Sequence, residues 1–392
     1  MSHKEEKVKR IAAVVTEYRP ISHADVLVGK FLAGFPCDDG LHAPRVQVVS
    51  LYLDQVGPED TGLMTAEKYG VTVYPSVRSA LTLGGEKLAV DGVLLVGEHG
   101  DYPLNEKGQK LYPRRHLFEQ ITGVFASSAH SVPVFCDKHL SYNWPDALWM
   151  YRRAQELAVP FMAGSSLPVC WRRPFLEYPL GTPLRAAVSI GYGPIEAYGF
   201  HALETLQCMV ERRQGGESGV RAVQCLEGEA VWSWLEGHPL FAELAQAAGE
   251  SIVEKEAPWA QVKKVVQKPV AFIVEYRDGL EALTLLLNGY ATSFAFAGLN
   301  SEGIQACEFV LQGGRPYAHF SYLGLNIEEM FLTGWPTYPV ERTLLTTGIL
   351  AAAMESRYRG YLRLETPYLR VAYRAVESVP FRPLGPEPSI ES

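Results

Sequence analysis

The sequence predicts an α/β protein in which a Rossmann-like, doubly wound parallel sheet is followed by a second domain of the α+β class. Three observations support this prediction. Short apolar segments alternate with helical segments through the first 160 residues, which is the pattern of a parallel sheet with helices on both faces. From about residue 184 the strand-like segments are joined by turns, which is typical of antiparallel or mixed sheets. The length of 392 residues exceeds what one hydrophobic core usually supports.

The first domain is predicted to span residues 1–160. Its opening strand, Lys9–Val15, is an apolar run after a charged lead-in, as expected for a strand that is buried on both faces. The following segments continue the alternation. In chain order they are a helix at 23–33, a strand at 45–53, a helix at 65–69, a strand at 92–96, a helix at 115–125, a strand at 133–136, a helix at 146–157 and a strand at 159–162.

The second domain is predicted to span residues 161–375 and to contain an open sheet that is mixed or antiparallel. Five apolar segments predict its strands, at 185–192, 220–226, 269–276, 280–287 and 291–296. A helix is predicted at 340–357 and a last strand at 369–373. Residues 376–392 are rich in proline and are predicted to form a tail.

The composition excludes several classes of protein. The formal net charge is -8, from 36 basic and 44 acidic side chains, so no broad basic surface is expected to bind nucleic acid. No apolar segment reaches the roughly 18 uninterrupted residues of a membrane-spanning helix, and the charged first ten residues do not resemble a signal peptide. We therefore expect a cytoplasmic protein. The six cysteines form no Cys-x-x-Cys pair, which argues against a zinc ribbon or a dithiol redox site.

The turn after the first strand lacks the glycines of a dinucleotide-binding loop. The three positions that would carry glycine hold Val15, Glu17 and Pro20, and the side chains of the first two occupy the space that a pyrophosphate needs. At an effective dielectric near 20, a carboxylate about 4 Å from a phosphate charge costs on the order of 4 kcal/mol. NAD(P) in its usual pose is therefore disfavoured. The alternative is a slightly displaced cofactor that contacts Glu17 and binds a ribose hydroxyl through Asp54.

Three further segments resemble motifs of a known family. Residues 132–140 read Val-Pro-Val-Phe-Cys-Asp-Lys-His-Leu, which is similar to Lys-Pro-Val-x-x-Glu-Lys-Pro-Leu. Residues 193–204 read Gly-Pro-Ile-Glu-Ala-Tyr-Gly-Phe-His-Ala-Leu-Glu, similar to Gly-Gly-x-x-x-Asp-x-Gly-x-His-x-x-Asp. Residues 327–356 are similar to a closing helix. Together they resemble the Gfo/Idh/MocA family of glucose-fructose oxidoreductase and inositol dehydrogenase, and the chain looks like a divergent member without the glycine-rich loop.

The resemblance implies an oxidoreductase-like enzyme of carbohydrate metabolism with Lys138 and His201 as acid–base groups. Lys138 lies just beyond an apolar strand, at the carboxyl edge where parallel sheets bind ligands. His201 begins an amphipathic helix, and an imidazole with an ordinary pKa near 6.5 exchanges protons at neutral pH. The substrate implied is sugar-like, and the chain is expected to form a homodimer or a higher homo-oligomer.

A divalent ion such as Zn or Mn is a further hypothesis. Imidazole and carboxylate groups follow two strands that end at the same sheet edge, and such groups bind these ions. The candidate ligands are His99, Asp137, His139 and Glu204. Alternatively, His99 and His139 only form hydrogen bonds in a pocket wall, and Glu204 only orients His201.

Candidate substrate contacts lie at the predicted domain junction. Trp171, Arg172 and Arg173 offer an indole and two guanidinium groups, which suit a polyhydroxylated or anionic ligand. Tyr198 is expected to line the opposite wall.

Three functions remain open from the sequence. One is an oxidoreductase-like enzyme whose nicotinamide binding is atypical or lost. The second is a metal-dependent lyase or hydrolase of a carbohydrate-type compound on the same scaffold. The third is a non-catalytic protein that binds a ligand or a sister subunit through its open sheet.

Overall fold

The structure is a computed structural model that describes residues 8–383. It is built from two sheets, a short hairpin and the helices that cover them. The strands are β1 (Lys9–Val15), β2 (Phe35–Cys37), β3 (Gly40–His42), β4 (Val46–Leu53), β5 (Thr72–Val73), β6 (Gly92–Val96), β7 (Val134–Asp137), β8 (Phe161–Gly164), β9 (Trp171–Arg173), β10 (Ala186–Gly191), β11 (Val220–Glu227), β12 (Val270–Tyr276), β13 (Glu281–Leu286), β14 (Phe294–Asn300), β15 (Gly303–Val310) and β16 (Leu364–Glu365).

The helices connect and cover these strands. They are α1 (Gly29–Ala33), α2 (Gly62–Tyr69), α3 (Val77–Thr82), α4 (Arg114–Ser128), α5 (Trp144–Glu156), α6 (Ala197–Val210), α7 (Glu229–Gly237), α8 (Pro239–Ser251), α9 (Val262–Val265), α10 (His319–Thr333) and α11 (Glu341–Tyr358). A π-helical segment, Ala24–Val28, leads into α1, and two short 3-10 turns lie at Leu167–Val169 and Trp259–Gln261.

The first sheet is parallel throughout, with the strand order β5-β4-β1-β6-β7-β8. β1 is central and is buried on both faces: Ala12 and Val14 pack on one side, and Ile11, Ala13 and Val15 on the other. The predicted doubly wound parallel sheet is confirmed.

The helix α10 belongs to the second half of the chain but packs on the first sheet. Its Phe331 contacts Phe31 of α1, with ring centroids 6.2 Å apart, and lies against Gly92 at the start of β6, where a Cβ atom would be only 2.6 Å from the ring. Lys9 donates a hydrogen bond to the Phe331 carbonyl oxygen at 3.0 Å. One hydrophobic core therefore joins residues from both halves.

The second sheet has eight strands in the order β16-β11-β12-β13-β10-β14-β15-β9. The β10–β13 pair is parallel and the others are antiparallel, so the predicted mixed sheet is confirmed. The sequence interpretation missed β9, β15 and the helices α7, α8 and α10. In place of the strand predicted at 369–373, a short β16 forms, and Tyr373 makes only an isolated bridge to Glu217.

Helices cover both faces of this second sheet. α6 and α11 pack on the inner face. On the outer face, Trp232 of α7 and Leu244 of α8 pack against sheet residues such as Ile190. Binding of a ligand or a sister subunit through the open sheet stays a prediction. Within residues 8–383, no helix is both long and apolar enough to span a membrane.

Candidate functional site

A cluster of buried charged side chains lies where β1, β6 and β7 end at the carboxyl edge of the first sheet. Glu98 follows β6, and Lys138 follows β7. The ammonium group of Lys138 is 2.7 Å from one carboxylate oxygen of Glu98, and the other oxygen accepts from Arg114 at the start of α4. Arg114 also contacts the Nε2 atom of His139 at 3.3 Å. All four side chains are at least nine-tenths buried.

The ionised state of Glu98 follows from its two cationic partners. Burial opposes ionisation of this carboxyl group, but the charges of Lys138 and Arg114 outweigh it and hold the pKa of Glu98 well below its usual range. Lys138 has a φ of +60°, a left-handed conformation that is uncommon for a residue other than glycine. The backbone turn thus directs the ammonium group back to Glu98, which the sequence interpretation did not identify as its partner.

His201, the second predicted catalytic residue, is 8% exposed on α6. Burial, followed by the charge of Lys138, lowers the pKa of His201 well below its usual value, so its imidazole is neutral at neutral pH. Its ring packs edge-on against Tyr198, with centroids 5.8 Å apart. Its Nδ1 atom is buried and has no hydrogen-bond partner in the described part of the chain. The structure therefore brings a free imidazole nitrogen, a tyrosine and the Lys138 charge into one region.

Glu196 is an acidic group that the sequence interpretation missed. One of its carboxyl oxygens accepts the backbone N–H of Lys110 at 2.8 Å. The other is buried and unpartnered among the described residues. Burial raises the pKa of Glu196 to about 7, against the opposing charges of Arg114 and Lys138. The sequence feature that could have indicated Glu196 is its position inside the segment 193–204, directly before α6.

The four predicted metal ligands do not converge. Asp137 accepts a hydrogen bond from Nδ1 of His23 at 2.7 Å, while His99 contacts Arg19 at 3.3 Å and His139 contacts Arg114. Burial lowers the pKa of His99 to about 4. Among residues 8–383, one group of three cysteine, histidine or acidic side chains has its ligand atoms within 4.8 Å of one another, and that group lies in the β2–β3 hairpin. The predicted ligand set is therefore not assembled, because each member is held by a different partner.

The predicted substrate contacts on β9 serve the fold. Trp171 is 3% exposed and packs edge-on against Tyr322. Arg172 donates to the carbonyl oxygen of Leu176 at 2.9 Å, and Arg173 pairs with Glu308 of β15 at 2.8 Å. The structure does not bring these three residues to the cluster, because β9 is the edge strand of the second sheet. Tyr198 alone of the predicted substrate contacts lies beside His201.

Glu204 neither touches His201 nor joins a metal site. Its carboxyl group accepts the backbone N–H and the hydroxyl of Ser165 at 2.7 and 2.6 Å, and it contacts Thr343 at 3.4 Å. Burial raises the pKa of Glu204 to about 7, although these hydrogen bonds act in the opposite direction. The residue ties α6 to the ends of β8 and α11.

This raised pKa predicts a pH-dependent contribution to stability. The unfolded chain titrates Glu204 near its usual 4.5 and the folded protein near 7, so the contribution is complete below about 4.5 and is lost as the pH rises through 7. We expect the difference in unfolding free energy between wild type and Glu204→Gln to shift by about 3 kcal/mol in favour of the variant over this range. Urea unfolding of both proteins at several pH values measures it. A pH-independent difference would contradict the prediction.

In the turn after β1, where a dinucleotide would bind, side chains of the turn and of the following helical segment form an ion pair and hydrogen bonds with one another and with the backbone. Glu17 is paired with Arg19 at 2.9 Å. Before the first helical segment, the backbone N–H of Ile21 donates to Asp25 at 3.0 Å, and the N–H of Arg19 donates to the Ser22 hydroxyl at 3.2 Å. Within the segment, the N–H of Asp25 donates to the same hydroxyl at 3.3 Å. A phosphate would normally accept from amides at a helix start, and here a hydroxyl oxygen of the chain accepts from one of them.

Asp54, the predicted ribose contact, is engaged in the same way. Its two oxygens accept the hydroxyls of Tyr52 at 2.9 Å and Tyr102 at 2.6 Å. The segment after β6 lies against the segment after β4, because Gln55 exchanges two hydrogen bonds with the backbone of Asp101, at 2.8 and 3.1 Å. Both residues that were predicted to contact a displaced cofactor, Glu17 and Asp54, are therefore paired with side chains of the protein.

No family model and no curated protein matches this chain. Solved structures of similar fold do exist. GenD2 from gentamicin A biosynthesis, in complex with NAD, has a TM-score of 0.58 and 14% identity, with 92% of this chain and 97% of that chain covered. The scyllo-inositol dehydrogenase of Lactobacillus casei, with bound NAD(H) and scyllo-inositol, has a TM-score of 0.56 and 11% identity, covering 92% and 99%.

An oxidoreductase from Agrobacterium radiobacter, in complex with NAD+, L-tartaric acid and magnesium, has a TM-score of 0.54 and 11% identity, covering 92% and 98%. These similarities extend over both halves of the chain. They confirm the predicted resemblance at the level of the fold, and the low identity agrees with a divergent member.

Proposed function

We propose that this chain, which has the two-domain fold of the Gfo/Idh/MocA-type inositol dehydrogenases and related oxidoreductases, is an acid–base enzyme for a sugar-like small molecule. We further propose that it works without NAD(P) in the usual pose. One observation carries the proposal: the unpartnered imidazole nitrogen of His201 lies in the field of the Lys138 ammonium group, which Glu98 holds in place. The scyllo-inositol bound to one structural neighbour supports a polyhydroxylated substrate.

The two groups suit opposite roles in proton transfer. His201 is uncharged at neutral pH because burial lowers its pKa, so it can accept a proton. The Lys138 ammonium can donate a hydrogen bond to a substrate oxygen and stabilise negative charge that develops there. Glu196, with a pKa of about 7, can take up or release a proton near neutral pH.

These roles define a reaction on a carbon next to a carbonyl group. His201 removes the proton from that carbon, and the electron pair of the C–H bond moves towards the carbonyl oxygen to form an enolate. Lys138 donates a hydrogen bond to the enolate oxygen. Delivery of a proton to the same carbon from the opposite face completes an epimerisation. Delivery to the former carbonyl carbon, with transfer of the neighbouring hydroxyl proton to the enolate oxygen, completes an isomerisation. Neither reaction changes the net oxidation state of the substrate.

The pairing of Glu17 and Asp54 with side chains of the protein supports this redox-neutral assignment. The Glu17–Arg19 pair and the two tyrosine hydroxyls on Asp54 satisfy groups that would otherwise meet phosphate and ribose. The metal-dependent alternative receives no support from the predicted ligands, since they are held apart by separate partners.

The test is C–H exchange in deuterated water. The full-length protein is incubated with aldoses, ketoses and inososes without nicotinamide, and proton NMR follows the loss of the C–H signals next to the carbonyl group. We expect exchange with at least one probe, and a reduction of at least about 100-fold in the Lys138→Met and His201→Gln variants. The exposed His130→Gln and Lys263→Met variants serve as matched controls and are expected to keep the wild-type rate.

Two outcomes would contradict the proposal. Saturable quenching of NAD(H) fluorescence, together with oxidation of a polyol, would show that the protein is a dehydrogenase with a displaced cofactor. No exchange with any probe and no nicotinamide binding would instead favour the non-catalytic binding protein.

A further inference from the structure

The hairpin formed by β2 and β3 brings together a thiol, a carboxylate and an imidazole. Cys37, Asp39 and His42 each place one potential ligand atom within 4.8 Å of the other two. The hairpin packs beside α10, whose Tyr322 hydroxyl accepts the backbone N–H of Asp38 at 3.1 Å. This site lies apart from the charged cluster at the sheet edge, and the proposed function does not use it.

The register of the hairpin explains the convergence. Phe35 pairs with His42, and Cys37 pairs with Gly40. Since alternate residues of a strand share one face, and paired residues point to the same side, Cys37 and His42 are diagonal neighbours on one face. Gly40 is the cross-strand partner of Cys37 and precedes His42 by two residues on the same face; it has no side chain, and a Cβ atom there would have no neighbour within 4 Å. It therefore leaves room for an ion beside the thiol and the imidazole.

The turn supplies the third group. Asp39 is at the tip of the hairpin, and its carboxylate is 2.7 Å from Nε2 of His42. The imidazole is thus already oriented towards the carboxylate. A chain of only six residues, from Cys37 to His42, holds all three groups, so little backbone rearrangement is needed to bring them onto one ion.

The chemistry of the donor set selects the ion. Ca²⁺ and Mg²⁺ prefer oxygen ligands throughout, whereas a thiolate, an imidazole and a carboxylate are the ligands of Zn²⁺. Three protein ligands leave one tetrahedral position for water or another group. An open cavity of about 380 Å³ adjoins the three side chains and is also lined by Tyr322, Phe381 and neighbouring residues, which provides room for that fourth ligand.

From this geometry we propose that the β2–β3 hairpin binds one Zn²⁺ ion through Cys37, Asp39 and His42. The ion ties the tip of the hairpin together beside α10 and the C-terminal segment that lines the cavity.

Cobalt substitution tests the site without any assay of activity. Full-length protein, freed of metal and kept reduced, is titrated with Co²⁺, and absorption spectra record thiolate-to-cobalt charge transfer. We expect the band to saturate at one equivalent and to disappear in Cys37→Ser. Competition with a chromophoric zinc chelator is expected to show a loss of at least about tenfold in Zn²⁺ affinity for His42→Gln and Asp39→Asn.

The controls separate this site from other cysteines and histidines. Cys225→Ser removes a buried thiol elsewhere, and His116→Gln removes an imidazole on α4; both should retain the band and the zinc affinity. Circular dichroism of each variant checks the fold. The proposal is overturned if no charge-transfer band forms, or if the band survives in a folded Cys37→Ser variant.

Discussion

Replacing Glu98 by glutamine is expected to lower the free energy of unfolding by about 3–5 kcal/mol, because it leaves two buried cations without a counter-charge. Glu98 is 4% exposed and pairs with both Lys138 and Arg114. Glutamine keeps the size of the side chain and can accept one hydrogen bond, but it cannot neutralise either partner. The loss of unfolding free energy in this variant therefore measures the effect of uncompensated buried charge and not the effect of a cavity.

Urea unfolding of wild type and variant at neutral pH provides the measurement. The matched control is Glu236→Gln, which breaks the exposed Lys263–Glu236 pair and is expected to cost less than about 1 kcal/mol. Adding Lys138→Met to Glu98→Gln removes one of the two unpaired cations, so the double variant should recover part of the loss. A cost for Glu98→Gln as small as that of the surface control would show that the cluster admits water and is not a closed ion network.

The second large effect is expected at Gly219, immediately before β11. This residue has a φ of +96°, and a Cβ atom would overlap the carbonyl oxygen of Leu369 and lie 3.0 Å from the amide nitrogen of Val371. Both neighbours are backbone atoms, and the N–H of Val220 donates to the same Leu369 oxygen at 3.0 Å. A side chain cannot be accommodated by a change of rotamer, so we expect Gly219→Ala to cost about 4 kcal/mol or more.

Replacement of a second glycine separates the free-energy cost of the steric overlap from the cost of the backbone conformation. Gly70, the C-terminal cap of α2, has a φ of +67° and a ψ of 30°, in the left-handed helical region, and a Cβ atom there would have no neighbour within 4 Å. Gly70→Ala should therefore cost only about 1 kcal/mol, for the left-handed backbone alone. Thermal unfolding of the two variants gives the comparison. Equal costs would mean that the 366–373 segment can move away from Gly219.

The sequence allowed the first sheet to be predicted because its central strands are buried on both faces. β1 and β6 are short apolar runs, and such runs need no knowledge of their neighbours to be recognised. The helix α10 was missed because it is buried on nearly all sides. It therefore has no polar face, and the sequence shows no helical alternation of polar and apolar residues there. The helices α7 and α8 could have been found, since Val231, Trp232 and Leu235 have helical spacing.

The candidate site was only partly predictable from the sequence. The rule that parallel strands end at one edge correctly indicated that the segments after β6 and β7 meet there. It could not show that Lys138 would pair with Glu98 while Asp137 would pair with His23, because these partnerships depend on side-chain directions set by the tertiary structure. Arg172 and Arg173 suited an anionic ligand by composition, but in the structure they donate hydrogen bonds to Leu176 and Glu308.

The placement of α10 determines how the protein can move. Because this helix comes from the second half of the chain but packs in the core of the first, with Phe331 against Phe31, it belongs mechanically to the first sheet. Any relative movement of the two halves must then take place in the segments that flank α10, at residues 311–318 and 334–340.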